Sequence, residues 1–137
     1  MHMDLTRLRD FALRYTEAWC SQNAKSVAAF YSPTGSLTVN GETPAVGRSA
    51  ITAIAQSFMS AFPDMRIVMD DLLVQDDIPH YHWTLTGTNT GPGGTGHKVR
   101  ISGFEIWHIG EDGLIATSQG HFDSEEYQRQ LLGAQKA

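Results

Sequence analysis

Near the end of the chain Ile115, Thr117, Gln119, His121 and Asp123 fall at every second position. That spacing puts them on one face of a strand. The face runs from apolar to proton-handling groups, as the wall of a reactive pocket does. An aspartate there can remove a proton beside a carbonyl when apolar surroundings lift its pKa. Glu105 is the second acid, and it shares a face with Val99, Ile101, Gly103, Trp107 and Ile109. A carboxylate among such neighbours is hard to ionise and tends to keep its proton. A neutral acid of that kind can donate a hydrogen bond to an oxygen that gains negative charge. His108 and His121 lie on neighbouring strands near Asp123, and a histidine can orient an acid or pass a proton. Parity sets His108 on the face opposite Glu105, so the alternation favours His121.

Each of these groups also has a plainer use. Asp123 precedes Ser124-Glu125-Glu126, which resembles a capping box, and Asp is a favoured N-cap. Glu105 could pair with Arg48 or Arg66. His80 and His82 share a strand face but have no third metal ligand at a fixed spacing, so no metal site is expected. Tyr15, Trp19, Phe58, Phe62, Trp83 and Trp107 all fall on inward faces, where they can line a cavity for an apolar ligand or fill a core. Gly91 to Gly96 joins two strands and opens no helix, so it is a flexible hairpin loop and a candidate lid, not a phosphate loop.

The elements that must position these residues follow from the hydrophobic period. Leu5, Leu8, Phe11, Ala12, Tyr15 and Trp19 recur at helical steps behind a cap at Asp4. A second helix is expected over Ala24 to Tyr31, with Val27, Phe30 and Tyr31 inward. Ser32-Pro33-Thr34-Gly35 is turn chemistry, Ser36 to Asn40 a short strand, and Gly41 to Gly47 a loop. Ser49 looks like the cap of a third helix with Ile51, Ile54, Ala55, Phe58, Met59 and Phe62 inward, ended by Pro63. After Pro63 the period falls to two. Four strands are expected, Met65–Val74, His80–Asn89, Val99–Ile109 and Leu114–Phe122, then a closing helix from Ser124 to Leu132. Helices first and strands later imply an α+β fold. A curved antiparallel sheet would wrap around three N-terminal helices and leave a pocket between the layers.

The chain has 137 residues, enough for one domain over 1–137 with a real core. Ten Lys+Arg against fifteen Asp+Glu give a net charge of -5, which argues against a nucleic-acid binder. One cysteine, Cys20, excludes an internal disulfide framework and cysteine-rich zinc modules. No uncharged stretch reads as a membrane span, and the N-terminus lacks a secretion pattern, so a cytoplasmic protein is expected.

Several segments resemble those of a known family. They are Gly47 through Phe62 followed by Pro63-Asp64, the run Trp83 to Gly91, Asp112-Gly113-Leu114-Ile115, and Asp123 followed by Gln130-Leu131. They resemble the SnoaL-like polyketide cyclases of the nuclear-transport-factor-2-like superfamily, which also holds ketosteroid isomerases, limonene epoxide hydrolases and non-catalytic binding modules. The resemblance implies a cone-shaped pocket for an apolar small molecule, usually in a homodimer, with no metal and no cofactor. It assigns Asp123, eight residues after Ile115, as general acid/base. It puts Glu105 near the acid that serves as oxyanion donor in the isomerase branch, and it favours His108. The sequence departs from the pattern where Leu114 replaces a common lysine and where Asn89 stands at a position often held by histidine. Asn40 lies near the place of the isomerase base, which argues against isomerase chemistry of that type.

The expectation is a cofactor-independent acid/base enzyme acting on an apolar, carbonyl-bearing substrate. Asp123 would move the proton. Glu105, with His121 or His108, would stabilise an enolate. Tyr15, Trp19, Phe58, Phe62, Trp83, Asn89 and Trp107 would line the pocket. The alternative is a ligand-binding or dimerisation module of the same fold without catalysis. No Asp–Arg–Asp set suited to epoxide opening is visible in the right strands.

Overall fold

A computed structural model describes residues 4–133. The elements in chain order are α1 (Leu5–Cys20), α2 (Ala24–Ala28), β1 (Tyr31–Val39), β2 (Ala45–Val46), α3 (Arg48–Ala61), β3 (Arg66–Gln75), β4 (Ile78–Thr88), β5 (Lys98–Ile109), β6 (Ile115–Phe122) and α4 (Ser124–Leu131). The strands form one 6-stranded sheet in the order β2-β1-β6-β5-β4-β3. The sheet is curved and open, and the fold is α+β. It is mixed, not purely antiparallel, because β1 pairs with β6 in parallel.

The helices form where the apolar spacing asks for them. Asp4 caps α1 by accepting a hydrogen bond from the Arg7 amide at 2.9 Å. Leu8, Phe11, Ala12, Tyr15 and Trp19 bury one stripe of α1 against the sheet. In α3 the buried line is Ile51, Ala55 and Met59. Its cap is Gly47, at a φ of 90°, and not Ser49, which lies inside the first turn. Phe62 closes that helix just before Pro63. The β3–β4 hairpin turns on Asp76 and Asp77, with φ values of 51° and 63°. Gln75 pairs with Ile78, so the turn is a two-residue loop, which needs positive φ at both positions to match the strand twist.

The largest departure from the sequence expectation lies between residues 28 and 36. The second helix stops at Ala28, and Tyr31 to Gly35 belong to β1 instead of a helix end and a turn. The pairing register shifts between Tyr31 and Ser36, so Pro33 sits in an irregular stretch where a missing amide is tolerated. Gly35 is there for closeness: a Cβ would come within 2.8 Å of the Ile115 carbonyl oxygen. As a strand residue Tyr31 is fully buried and points between the layers. The expected loop at 41–47 contains the short strand β2.

Candidate active site

Alternation along β5 sends Val99, Ile101, Glu105 and Trp107 inward, and all four are buried. Glu105 is thereby a carboxyl that is only 7% exposed within an aromatic shell. Its oxygen Oε1 accepts three hydrogen bonds: from Ser118 Oγ at 2.7 Å, Trp107 Nε1 at 2.9 Å and the Tyr15 hydroxyl at 3.0 Å. Oε2 receives only a longer contact from the same Tyr15 hydroxyl, at 3.3 Å. Tyr15 and Tyr31 share a hydroxyl–hydroxyl bond of 2.9 Å behind the carboxyl. Tyr81 stacks on the Trp107 indole at 4.9 Å between ring centroids and bonds to the Thr16 hydroxyl.

The electrostatics follow from burial. Loss of water pushes the Glu105 carboxyl above the usual carboxylate range, while hydrogen bonds from Trp107, Ser118, Tyr15 and Tyr31 pull the other way. The Tyr15 and Tyr31 phenols are raised well above their ordinary value, first by burial and then by the charge on Glu105. They therefore stay protonated and remain donors. Since Oε1 is filled with donors, a proton on this carboxyl belongs on Oε2. The free valence of the group, acid or base, is thus a single defined atom.

Glu105 forms part of the wall of a narrow cavity between α1, α3 and the sheet. The rest of the wall is apolar: Trp19, Leu37, Val39, Ile54, Phe58, Ile67, Tyr81, Trp83, Leu85, Gly120 and Phe122. Its volume is about 60 Å³, several times what a single water needs. Glu105 faces Gly120 across the β5–β6 pair, so no side chain fills the space beside the carboxyl. From α4, Tyr127 packs on Phe58, Phe62 and Phe122 at one end.

Among the expected site residues, Glu105, Trp19, Phe58 and Trp83 come together at this cavity. Tyr15 and Trp107 stand behind the carboxyl as its donors. Phe62 is fully buried at the end of α3. Asn89 is a bracket: its amide donates to the Ala61 carbonyl at 3.1 Å and its Oδ1 accepts from the Thr95 amide at 2.8 Å. The 91–96 loop is fastened by the same contacts and by Gly91, where a Cβ would lie 1.8 Å from the Ser60 carbonyl oxygen. It packs on the end of α3, in place of the flexible lid expected.

The expected pocket face of β6 is corrected. His108 pairs with Thr117 and Ile109 with Ile115, so Ala116 is an extra residue in the strand. Such a bulge flips every later side chain to the other face. Ser118, Gly120 and Phe122 therefore point to the cavity side, and Thr117, Gln119 and His121 point away. His121 packs on Phe104 at 5.2 Å on the outer face, and His108 bonds to the Thr117 hydroxyl at 3.1 Å. Asp123 caps α4, its carboxylate accepting from the Glu126 amide at 3.0 Å. None of the three lines the cavity. Sequence reasoning missed Ser118 and the site role of Tyr31. The first was hidden by the bulge, the second by the misplaced helix end. Among the described residues no group of three or more His, Cys, Asp or Glu is arranged to hold a metal ion, and no helix is long and apolar enough to cross a membrane.

A curved open sheet, a cavity on its helix-covered side and one buried carboxyl define an α+β small-molecule fold. The chain belongs to the SnoaL-like polyketide cyclase family, whose model matches residues 9–131. Among solved structures it is similar to a SnoaL-like polyketide cyclase candidate from Jannaschia sp. CCS1, at 15% identity and a TM-score of 0.83, over 98% of this chain and 99% of that one. It is also similar to a protein with a ketosteroid isomerase-like fold from Catenulispora acidiphila, crystallised with trimethylamine. The identity there is 11% and the TM-score 0.79, over 92% of this chain and 94% of that one. A third is SalBIII, an epoxide hydrolase/cyclase-like enzyme of pyran ring formation in salinomycin, at 14% identity and a TM-score of 0.76, over 90% and 95% of the two chains. At these identities the likeness is one of fold. Among curated proteins none matches significantly.

Proposed function

We propose that the chain is a cofactor-independent acid/base enzyme acting on a small, apolar, carbonyl-bearing substrate held in the cavity, with Glu105 as its proton-handling group. The observation that carries this reading is the asymmetry of the carboxyl. Three donors converge on Oε1, while Oε2 receives only the longer Tyr15 contact at 3.3 Å. Ionised, Oε2 takes the proton from the carbon beside the carbonyl, and the acid so formed gives it back to the enolate. The site is dry, and electrostatic interactions are strong there. Asp123 stands in this reading as a helix cap, and the two outer-face histidines take no part. Membership of a cyclase family and the SalBIII likeness support a ring-forming or tautomerising step.

The test is deuterium uptake at the carbon beside the carbonyl of 1-tetralone in D2O, followed by NMR. Wild type is expected to accelerate uptake. Glu105→Gln keeps an acceptor for the three donors but removes the transferable proton, so uptake should fall by roughly 100-fold or more. Equal rates for the two proteins sink the assignment. The second reading, a binding module, draws on one observation: among the residues lining the cavity Glu105 is the sole carboxyl, with no histidine beside it. It predicts that 1-tetralone binds without any uptake. In the cell the protein would work in the cytoplasm as a homodimer. The paired face would be the outer side of the sheet, where Val68 and Leu73 are 52% and 42% exposed. A monomeric mass by sedimentation equilibrium would remove that part.

A further inference from the structure

One end of the outer sheet face carries positive charge on an acidic chain. Arg66, Thr86 and Arg100 pair directly across β3, β4 and β5, and Thr88 pairs with Lys98 in the same way. Directly paired residues project to the same side of a sheet. With strands about 4.8 Å apart, the two arginines flank Thr86 at roughly 10 Å from each other along the backbone. Val99 and Ile101 are buried towards the helices, while Lys98 and Arg100 are exposed on the face opposite Glu105. Arg66, Thr86, Thr88, Lys98 and Arg100, with Asp64, line one groove of about 580 Å³, a size that suits a small ligand.

The cations of this groove are not neutralised within the fold. Elsewhere arginines pair with near neighbours: Arg7 with Asp4, Arg14 with Asp10, and Arg129 with Glu126. Among the described residues no carboxylate lies within ion-pair distance of Arg66 or Arg100, and the Thr86 hydroxyl between them has no hydrogen-bond partner. The one acid of the groove is already engaged. Asp64 Oδ1 accepts from the Thr88 amide at 2.7 Å, and that bond, the Thr88 hydroxyl and Lys98 hold its carboxyl below the ordinary range. Three cations against one carboxylate leave a local charge of +2, on a chain whose net charge is -5. The backbone beneath is fastened from α4, since the Arg100 amide donates to Gln130 Oε1 at 2.6 Å.

We infer that this groove is a second ligand site, separate from the Glu105 cavity, and that it takes a phosphoryl group, with Arg66 and Arg100 as its two forks and Thr86 and Lys98 as further donors. A carboxylate has two oxygens and one charge, which match a single guanidinium fork. A phosphate monoester has three terminal oxygens and a charge of about −1.5 to −2 near neutral pH. It therefore matches two forks, a hydroxyl and the local excess of positive charge. Free phosphate and a small phosphate ester share this chemistry, and the experiment separates them.

The full chain is titrated by NMR at low ionic strength with inorganic phosphate, phenyl phosphate and acetate. Both phosphates should shift the amides of Arg66, Thr86, Thr88 and Arg100, and acetate should bind roughly tenfold more weakly. Equal affinity for the two phosphates supports a site that reads the phosphoryl group alone. Tighter binding of phenyl phosphate supports a site for an ester. Arg66→Gln and Arg100→Gln should each weaken phenyl phosphate about fivefold to tenfold. Both residues are exposed, so the melting temperature should stay at the wild-type value. Arg9→Gln removes the same charge from an exposed position on α1 and should leave the affinity unchanged. Equal weakening by Arg9→Gln and Arg100→Gln would reduce the effect to net charge and overturn the site. Acetate binding as tightly as phenyl phosphate overturns the phosphoryl assignment. Unmoved amides at millimolar phosphate overturn the whole inference. A lower mass of Arg100→Gln by sedimentation equilibrium would then assign these cations to acids of a second copy. Deuterium uptake from 1-tetralone should be the same in Arg100→Gln and wild type. A loss of uptake there would join the groove to the cavity and overturn a separate site.

Discussion

The Glu105 carboxyl accepts hydrogen bonds from Tyr15, Trp107 and Ser118, and all three converge on one of its two oxygens. Its burial was legible in the sequence, because Val99, Ile101, Gly103 and Trp107 announce an apolar face around it. Its asymmetry was not. Ser118 is a small residue thirteen positions away on another strand, and nothing in its own surroundings marks it as a partner. Ser118 is 1% exposed, and its hydroxyl favours the ionised form of Glu105. In Ser118→Ala the carboxyl should hold its proton to a higher pH. The pH profile of deuterium uptake should then shift upward, with a stability loss of about 1 kcal/mol. A stability loss with an unmoved profile would make Ser118 a packing residue only.

At the scale of elements, one extra residue decides which side chains share the cavity. Ala116 bulges from β6, and from there the strand presents Ser118, Gly120 and Phe122 inward instead of Gln119, His121 and Asp123. Regular alternation is the right default for a strand, and it fails here because the bulge depends on how β1 and β5 pair with β6 on either side. Asp123 shows the same competition. The family resemblance implies chemistry for it, while its next three residues suggest a cap. The tertiary structure places it at the start of α4, bonded to the Glu126 amide. Asn caps a helix about as well as Asp, and Ala does not. Asp123→Asn should therefore retain both stability and deuterium uptake. Asp123→Ala should lose about 1 kcal/mol by thermal or urea unfolding, with uptake retained in the folded fraction. An Asp123→Asn protein that folds normally and has lost uptake would restore Asp123 to the reaction.

For the whole molecule, the buried acid ties stability to pH. Burial holds the folded-state pKa of Glu105 above the ordinary carboxylate range. The folded state thus binds its proton more tightly than the unfolded state. Stability from this group is fully present below the unfolded value and is lost as pH rises through the raised folded value. Asp64 and Asp112 run the other way: hydrogen bonds, chiefly from the amides of Thr88 and Leu114, hold them below the usual range. Comparison with Glu105→Gln cancels those opposing groups. The melting temperature of wild type minus that of Glu105→Gln should fall as pH is raised from about 4.5 towards neutrality. A difference that rises over that interval would mean an ionised, stabilised Glu105 in the folded protein.

Three of the helices, the four later strands, the cap at Asp4, the stop at Pro63, the burial of Glu105 and the α+β class can be read from the sequence. Each of these is set by local spacing or by the chemistry of neighbouring residues. That Tyr31 lies in a strand, that β1 runs parallel to β6 and that Ala116 reverses the face of the last strand came from the tertiary structure. Those features are fixed by pairings between segments as much as about 80 residues apart, where one residue of register moves every side chain to the opposite face.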